Sequence, residues 1–340
     1  MTQIQGWIAG PADDFPVHDS GLNTIAAGRW TKIHQMHAND ITAFPRQVHS
    51  GSAFDQKRNR LLIFGSDTHG RDWDNSVRAF DLDTLSWSSL SDQQPFSNYI
   101  VTAEGVPGAL ADKHLFPWAM HAFDAINYDP VADRLVVASK PEHLKPGRFK
   151  SPISNSLWDR ALSHPTWSFD FTTERWETLV TDKAVHLFPY ASAYSREHHA
   201  IFGFRPDGVF KLSLTLPSWN KVARSSINAY HTQAVWDSDN QAFVIAGSHD
   251  LSNTIHIYRP GEDKTIEMPT SGKRPPGFEH TPMAYYESNG MVAFVIDVRQ
   301  DGEDLAETWL YNLKQDKWKQ LWGAEFPFHL GMNYHMQYSS

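Results

Sequence analysis

The chain has no cysteine among its 340 residues, which removes disulfides, thiolate metal sites and thiol nucleophiles together. It also lacks any apolar run near the roughly 18 residues that a membrane-crossing helix requires. Basic residues are scarce: 30 Lys and Arg against 39 Asp and Glu leave a formal net charge of -9. Neither a nucleic acid nor a membrane surface is therefore expected as partner. The opening MTQIQGWIAG has no basic stretch leading into an apolar one, the mark of a secretory leader. A cytoplasmic chain is the expectation; a secreted or periplasmic one stays open, because a mature form would begin in the same way. No HExxH or other trusted metal-ligand spacing is present.

What is there is aromatic and imidazole-rich. Hydrophobic residues make up 41% and charged residues 20%, ordinary for a globular chain. The 13 Trp and 18 His are not ordinary. The Trp excess has a repeat behind it. An aromatic or apolar residue, often followed by Asp or Asn, precedes a Trp by seven positions: Phe80-Asp81 to Trp87, Phe169-Asp170 to Trp176, Tyr311-Asn312 to Trp318. Leu212 to Trp219 is a weaker copy, and Tyr258 to Thr265 keeps the spacing without the Trp. This is a strand, a tight turn and a second strand. The Asx side chain bonds the turn backbone, and the indole is placed to pack between sheets.

Upstream of each copy lies a hairpin: SAFDQKRNRLLIFG (52–65), INYDPVADRLVVAS (126–139), SAYSREHHAIFGF (192–204), AVWDSDNQAFVIAG (234–247) and AYYESNGMVAFVID (284–297). Its second strand is nearly all apolar, as a strand sandwiched between neighbouring sheets should be. Each unit thus reads as a four-stranded antiparallel sheet with strands a to d, and units of that size stack into a propeller. The expected fold is all-β, one propeller domain over 1–340. It has about six blades, with a seventh possible in the long connection 88–117. The sixth blade would be shared between the chain ends. MNYHMQYSS (332–340) supplies its strand a, and QIQGWIAG (3–10), LNTIAA (22–27) and GRWTKIH (28–34) supply b, c and d. Such a clasp would leave no free edge.

This organisation resembles the kelch repeat of the galactose-oxidase-like propellers. The usual double glycine after strand b is replaced here by Gly65-Ser66, Ala138-Ser139, Gly203-Phe204, Gly247-Ser248 and Ile296-Asp297. The resemblance therefore rests on spacing and the late Trp. It implies that the d-to-a connections and the b-to-c loops open on one face.

Six d-to-a segments each contain a histidine: His49, His121, His186, His231, His280 and His335. One imidazole alone is ordinarily a hydrogen-bonded structural residue; a histidine in every such segment points to a shared pocket. The b-to-c loops add Asp67, His69, Arg71, Trp73 and Asp74, then Glu142, His143, Arg205, His249, Asp250, Asp297 and Arg299. Two chemistries suit this set. One is an acidic sugar stacked on Trp73 or Tyr190, with an Arg holding its carboxylate. The other is a divalent metal on imidazole ligands, for which His49, His121, His231 and His335 are the expected set.

Among kelch-like propellers, galactose-oxidase chemistry is excluded, because its cofactor needs a Tyr-Cys crosslink. The spaced Glu, Asp and His pattern of nitrile-specifier proteins is absent. Resemblance to the propeller polysaccharide lyases and related glycosidases implies a His, Tyr and Arg pocket. The expectation is a lyase or hydrolase acting on an acidic glycan. His49, His121 or His231 would be the base, Tyr190 or Tyr334 the proton donor, and Arg46, Arg205 or Arg299 the carboxylate clamp. Asp67, His69, Trp73, His143 and His280 would complete the binding surface. A non-catalytic propeller that binds a protein or glycan, and a metal-dependent enzyme built on the histidines, are the alternatives. Propellers host all three.

Overall fold

The five repeat units, four of them ending in the repeat Trp, fold as five four-stranded antiparallel sheets, each with its strands in sequence order. The computed structural model describes residues 5–9, 29–35, 49–69, 72–300, 303–328, 330 and 334–338. Blade one comprises β3 (Gly51–Asp55), β4 (Arg60–Phe64), β5 (Val77–Asp81) and β6 (Ser86–Ser91). Blade two comprises β10 (Ile126–Asp129), β11 (Arg134–Val137), β12 (Thr166–Asp170) and β13 (Arg175–Val180). Blade three holds β14 (Ala191–Ser195), β15 (Ala200–Arg205), β16 (Gly208–Ser213) and β17 (Ser218–Ala223). Blade four holds β18 (Gln233–Asp237), β19 (Ala242–Ala246), β20 (His256–Tyr258) and β21 (Ile266–Glu267). Blade five holds β22 (Met283–Tyr286), β23 (Met291–Gln300), β24 (Glu303–Asn312) and β25 (Lys317–Gln320). The innermost strands β3, β10, β14, β18 and β22 are packed side by side in that order, as the inner wall of a propeller requires.

The turn chemistry follows the sequence pattern. Asp81 accepts from the Thr84 backbone (2.7 Å) and Asp170 from that of Thr173 (2.8 Å), so the Asx residue closes each c-to-d turn. Every residue of β19 is buried, whereas β4 buries only Leu62 and Phe64. The cores lie between blades. Phe64 of blade one meets Trp167 and Trp176 of blade two, and Ala242 and Val244 of blade four meet Phe294 and Trp318 of blade five.

The repeated tryptophans hold these interfaces by a recurring bond. Trp176 donates its Nε1–H to Ser91 Oγ of blade one (3.3 Å), and Trp219 donates to Thr166 Oγ1 of blade two (2.9 Å). Trp176 and Trp318 are 5% and 8% exposed. Trp87, expected to be equally buried, is half-buried against Phe80; Phe80 in turn meets His34, on the short N-terminal sheet.

That N-terminal sheet pairs β1 (Gln5–Ala9) directly with β2 (Trp30–Gln35). Gln5–Ala9 is therefore next to the outer strand rather than two strands from it, as the sequence suggested; 22–27 lies outside the described residues. Trp30 donates to Thr308 Oγ1 of blade five (2.7 Å), the same bond to a strand-c hydroxyl that Trp219 makes. At the opposite end of the chain, 334–338 runs beside blades five and one. His335 Nε2 lies 3.0 Å from Ser50 Oγ, Gln337 donates to the Ser52 carbonyl (3.1 Å), and Tyr338 meets Tyr286. The arrangement is consistent with six blades. Among the described residues 334–338 is not strand-paired with β1.

The connection 88–117 is not a seventh blade. Its strands β7 (Tyr99–Val101), β8 (Pro107–Ala111) and β9 (His114–Phe116) form a three-stranded sheet. It stands outside the ring, because β3 packs directly on β10. Tyr99, Val101 and Trp118 cover it against Leu144 and Ile153 of the β11–β12 connection.

Candidate active site

Three chain segments meet where the loops of blades one and two face the pore. Ser66 N donates to the Met120 carbonyl (3.0 Å) and Ala122 N to the His49 carbonyl (3.2 Å), lacing 49, 66 and 120–122 together. The fit is close: a side chain at Gly51 would meet the Phe123 carbonyl oxygen at 2.0 Å. His49, Phe123 and His231 all hold positive φ, at 58°, 42° and 59°. Non-glycine residues rarely adopt that conformation, and it concentrates at functional sites.

Four imidazoles result. His49 stacks on His121 (centroids 4.6 Å apart, 3° between planes), and His69 lies 4.7 Å from both His121 and His143. His143 Nδ1 is 3.1 Å from His121 Nε2 and 3.1 Å from Thr68 Oγ1. Asp67 orients the group from behind: its Oδ1 lies 2.8 Å from His69 Nδ1 and 3.8 Å from His49 Nε2. Burial pushes His49 down to about 4, although Asp67 opposes the shift. Burial and neighbouring imidazoles push His143 to about 4 and drive His121, 3% exposed, strongly down. All three rings are neutral at neutral pH, the form that binds a metal or accepts a proton.

Aromatic rings frame the cluster. Phe123 touches His49 (5.4 Å), and Phe188 touches His121 (5.1 Å) and stacks on Phe123. Phe149 covers His69 and His143 at 4.4 and 4.9 Å. His231 (6.0 Å) and His280 (4.7 Å) also pack against Phe123. His231 Nδ1 lies 3.1 Å from Glu279 Oε2; burial lowers the pKa of His231 and the Glu279 carboxylate opposes that. His280 is buried, 3.5 Å from Asp124. Tyr190 follows the Phe188-Pro189 pair, and His231 N donates to the Pro189 carbonyl (2.8 Å), which sets Tyr190 beside His231 in the chain's path. Beneath Phe123 and Asp124 a cavity of about 390 Å³ follows the inner strands, with His335 on its wall.

Other expected residues stand elsewhere or in other roles. Arg46 lies outside the described residues. Arg299 lies on β23, which extends without a loop to Gln300 and pairs with β24; the sequence had read a b-to-c loop there. Asp297, on the same strand, accepts from Leu330 N (2.7 Å). Arg205 sets Nε and Nη2 on Asp207 (2.9 and 3.1 Å) and Nη1 on the His186 carbonyl, so its fork is engaged. Trp73 packs edge-on to Phe96 in the side cluster. Tyr334 packs with Phe328 near Val295 and Phe326. His186 pairs with His164 (6.1 Å) instead of joining the ring cluster.

Sequence reasoning missed Phe123, Phe188 and Phe149. The first two lie in the same d-to-a segments that gave the histidines, so the signal was present. It also missed that Glu279 partners His231 across a blade boundary.

No family model matches the chain, and no curated protein matches it. Among solved structures it is similar to that of YjhT, a propeller-type structure. The two are 16% identical, with 86% of this chain and 87% of that one covered at a TM-score of 0.51. A likeness at that identity speaks for the propeller fold alone.

Proposed function

We propose that this face is the active site of a kelch-like, carbohydrate-active propeller that cleaves an acidic oligosaccharide or polysaccharide by elimination at a uronate. The observation that carries the reading is the His231–Glu279 pair, which shares Phe123 with the His49–His121 imidazole cluster. Glu279 at Nδ1 favours the tautomer that leaves Nε2 as the basic nitrogen. His231 takes the proton from the ring carbon that bears the carboxylate. The bond from the neighbouring carbon to the glycosidic oxygen breaks, its electrons stay on that oxygen, and a carbon–carbon double bond remains in the sugar. The Tyr190 hydroxyl supplies the proton to the leaving oxygen. Phe123 and Phe188 offer an apolar floor to the sugar ring.

Elimination is favoured over hydrolysis because a glycosidase flanks the scissile bond with two carboxyl groups. The carboxylates beside these histidines, Asp67, Asp124 and Glu279, are each tied to an imidazole.

The test is near-ultraviolet absorbance of an unsaturated uronate, followed on a panel of polyuronates and sulfated uronate-containing glycans. Wild type is expected to generate the chromophore, and His231→Ala to lower kcat by about 10²–10⁴-fold. New reducing ends without the chromophore would establish hydrolysis instead. Tight binding without turnover across the whole panel would leave a binding propeller.

A further inference from the structure

We infer that His69, His121 and His143 bind one divalent transition-metal ion of the zinc class, with Asp67 orienting His69 from behind. One ring nitrogen from each of the three lies within 4.8 Å of the others. A tetrahedral ion with nitrogens at about 2.0–2.1 Å holds them roughly 3.3 Å apart. The 3.1 Å between His143 Nδ1 and His121 Nε2 already meets that spacing, and small ring rotations bring in His69.

The surroundings match what a metal site needs beyond its ligands. Metal-bound imidazoles ordinarily give their second nitrogen to a carboxylate or another oxygen, which fixes the tautomer and the ring angle. Asp67 does this for His69, holding Nδ1 at 2.8 Å and leaving Nε2 for an ion. The Thr68 hydroxyl lies 3.1 Å from His143 Nδ1, the nitrogen that also faces His121, so it stands beside the ion's position. His121 is nearly fully buried, and its Nε2 faces another imidazole nitrogen, His143 Nδ1, at the point where an ion would draw a lone pair from each. The backbone bonds that lace 66 to 120 and 122 to 49 hold the His121 segment against the loop that carries His69 before any ion arrives. Imidazole donors without sulfur select zinc, cobalt, nickel or copper over magnesium or calcium.

Binding itself is independent of the carbohydrate reading. Its use rests on that reading: an ion beside Phe123 supplies the positive charge that a uronate carboxylate needs. Arg205 does not offer it, because Asp207 already holds its guanidinium.

The experiment uses the full chain without any histidine tag, stripped by a chelator and titrated with Zn²⁺ and with Co²⁺. Calorimetry is expected to show one ion per chain, and Co²⁺ to develop the visible bands of a tetrahedral nitrogen site. His69→Gln and His143→Gln, each checked for a native melting profile, should lose the stoichiometric binding, and Asp67→Asn should weaken it about 10–100-fold. His164→Gln, in the separate buried pair, should leave it intact. Substoichiometric binding by wild type, or full binding by a folded His69→Gln/His143→Gln double variant, overturns the site. If the ion binds and no acidic glycan is cleaved, the metal inference stands and the elimination reading fails.

Discussion

His164 and His186 show how burial acts on single residues in this protein. Their rings lie 6.1 Å apart, and the Nδ1 of each is buried without a partner. Burial pushes them from 6.5 to about 4 and about 3; Lys140 adds to both shifts, Arg205 adds to that of His186, and Glu142 opposes it. As pH falls below 6.5, the unfolded chain takes up protons that the folded chain refuses, so stability drops until the folded values are passed. The urea midpoint is expected to fall steadily between pH 6.5 and about 4, and His164→Asn/His186→Asn should flatten that fall. An unchanged slope in the double variant would count against it. At this scale the sequence was legible as a set and not as pairs. Every d-to-a histidine was found, yet which imidazole meets which was hidden. His49 touches His121, and His231 touches Glu279, each across a blade boundary. Distance along the chain carries no information about such contacts. Arg205 failed as a free clamp for a local reason: Asp207 sits two residues on, at the other side of a tight turn.

The blade is the element that the sequence described best, because its pattern is local. Alternation, an apolar b strand and an Asx turn are all written within about 35 residues, and the strands appear where they were expected. The long β23–β24 hairpin was not anticipated. Ile296, Val298, Leu305 and Ala306 carry the apolar pattern past Asp297, and the two strands stay paired as far as Gln300 and Glu303. The blade also predicts its own weak point. Trp219 is 8% exposed in the core between blades two and three and donates to Thr166. Trp219→Ala should cost about 3–5 kcal/mol by cavity formation. Trp219→Phe should keep most of the packing and lose about 1 kcal/mol for the bond. Equal denaturation midpoints for the Ala variant and wild type would refute an interblade role.

At the scale of the whole molecule the two terminal segments matter most, because each reaches a blade far from it in sequence. Trp30 joins β2 to blade five, while His335 and Gln337 join 334–338 to blade one. Removal of 334–340 is therefore expected to abolish cooperative thermal unfolding of soluble protein. A truncated chain that keeps the native Tm would show that these contacts do not hold the ring. Long-range closure of this kind is the part of a fold that local patterns express least, since its partners lie some 285 positions apart.

The tryptophan bonds also carry an order in time. Trp176 and Trp219 each donate backward, to a hydroxyl on the preceding blade. A chain emerging from the ribosome has therefore already made each acceptor when the donor appears, and each new blade can dock on arrival. Trp30 alone among these donors points the other way, to Thr308 near the end of synthesis. The first of these indoles to be made is therefore the last to find its partner, and the blades made in between dock in order before it does.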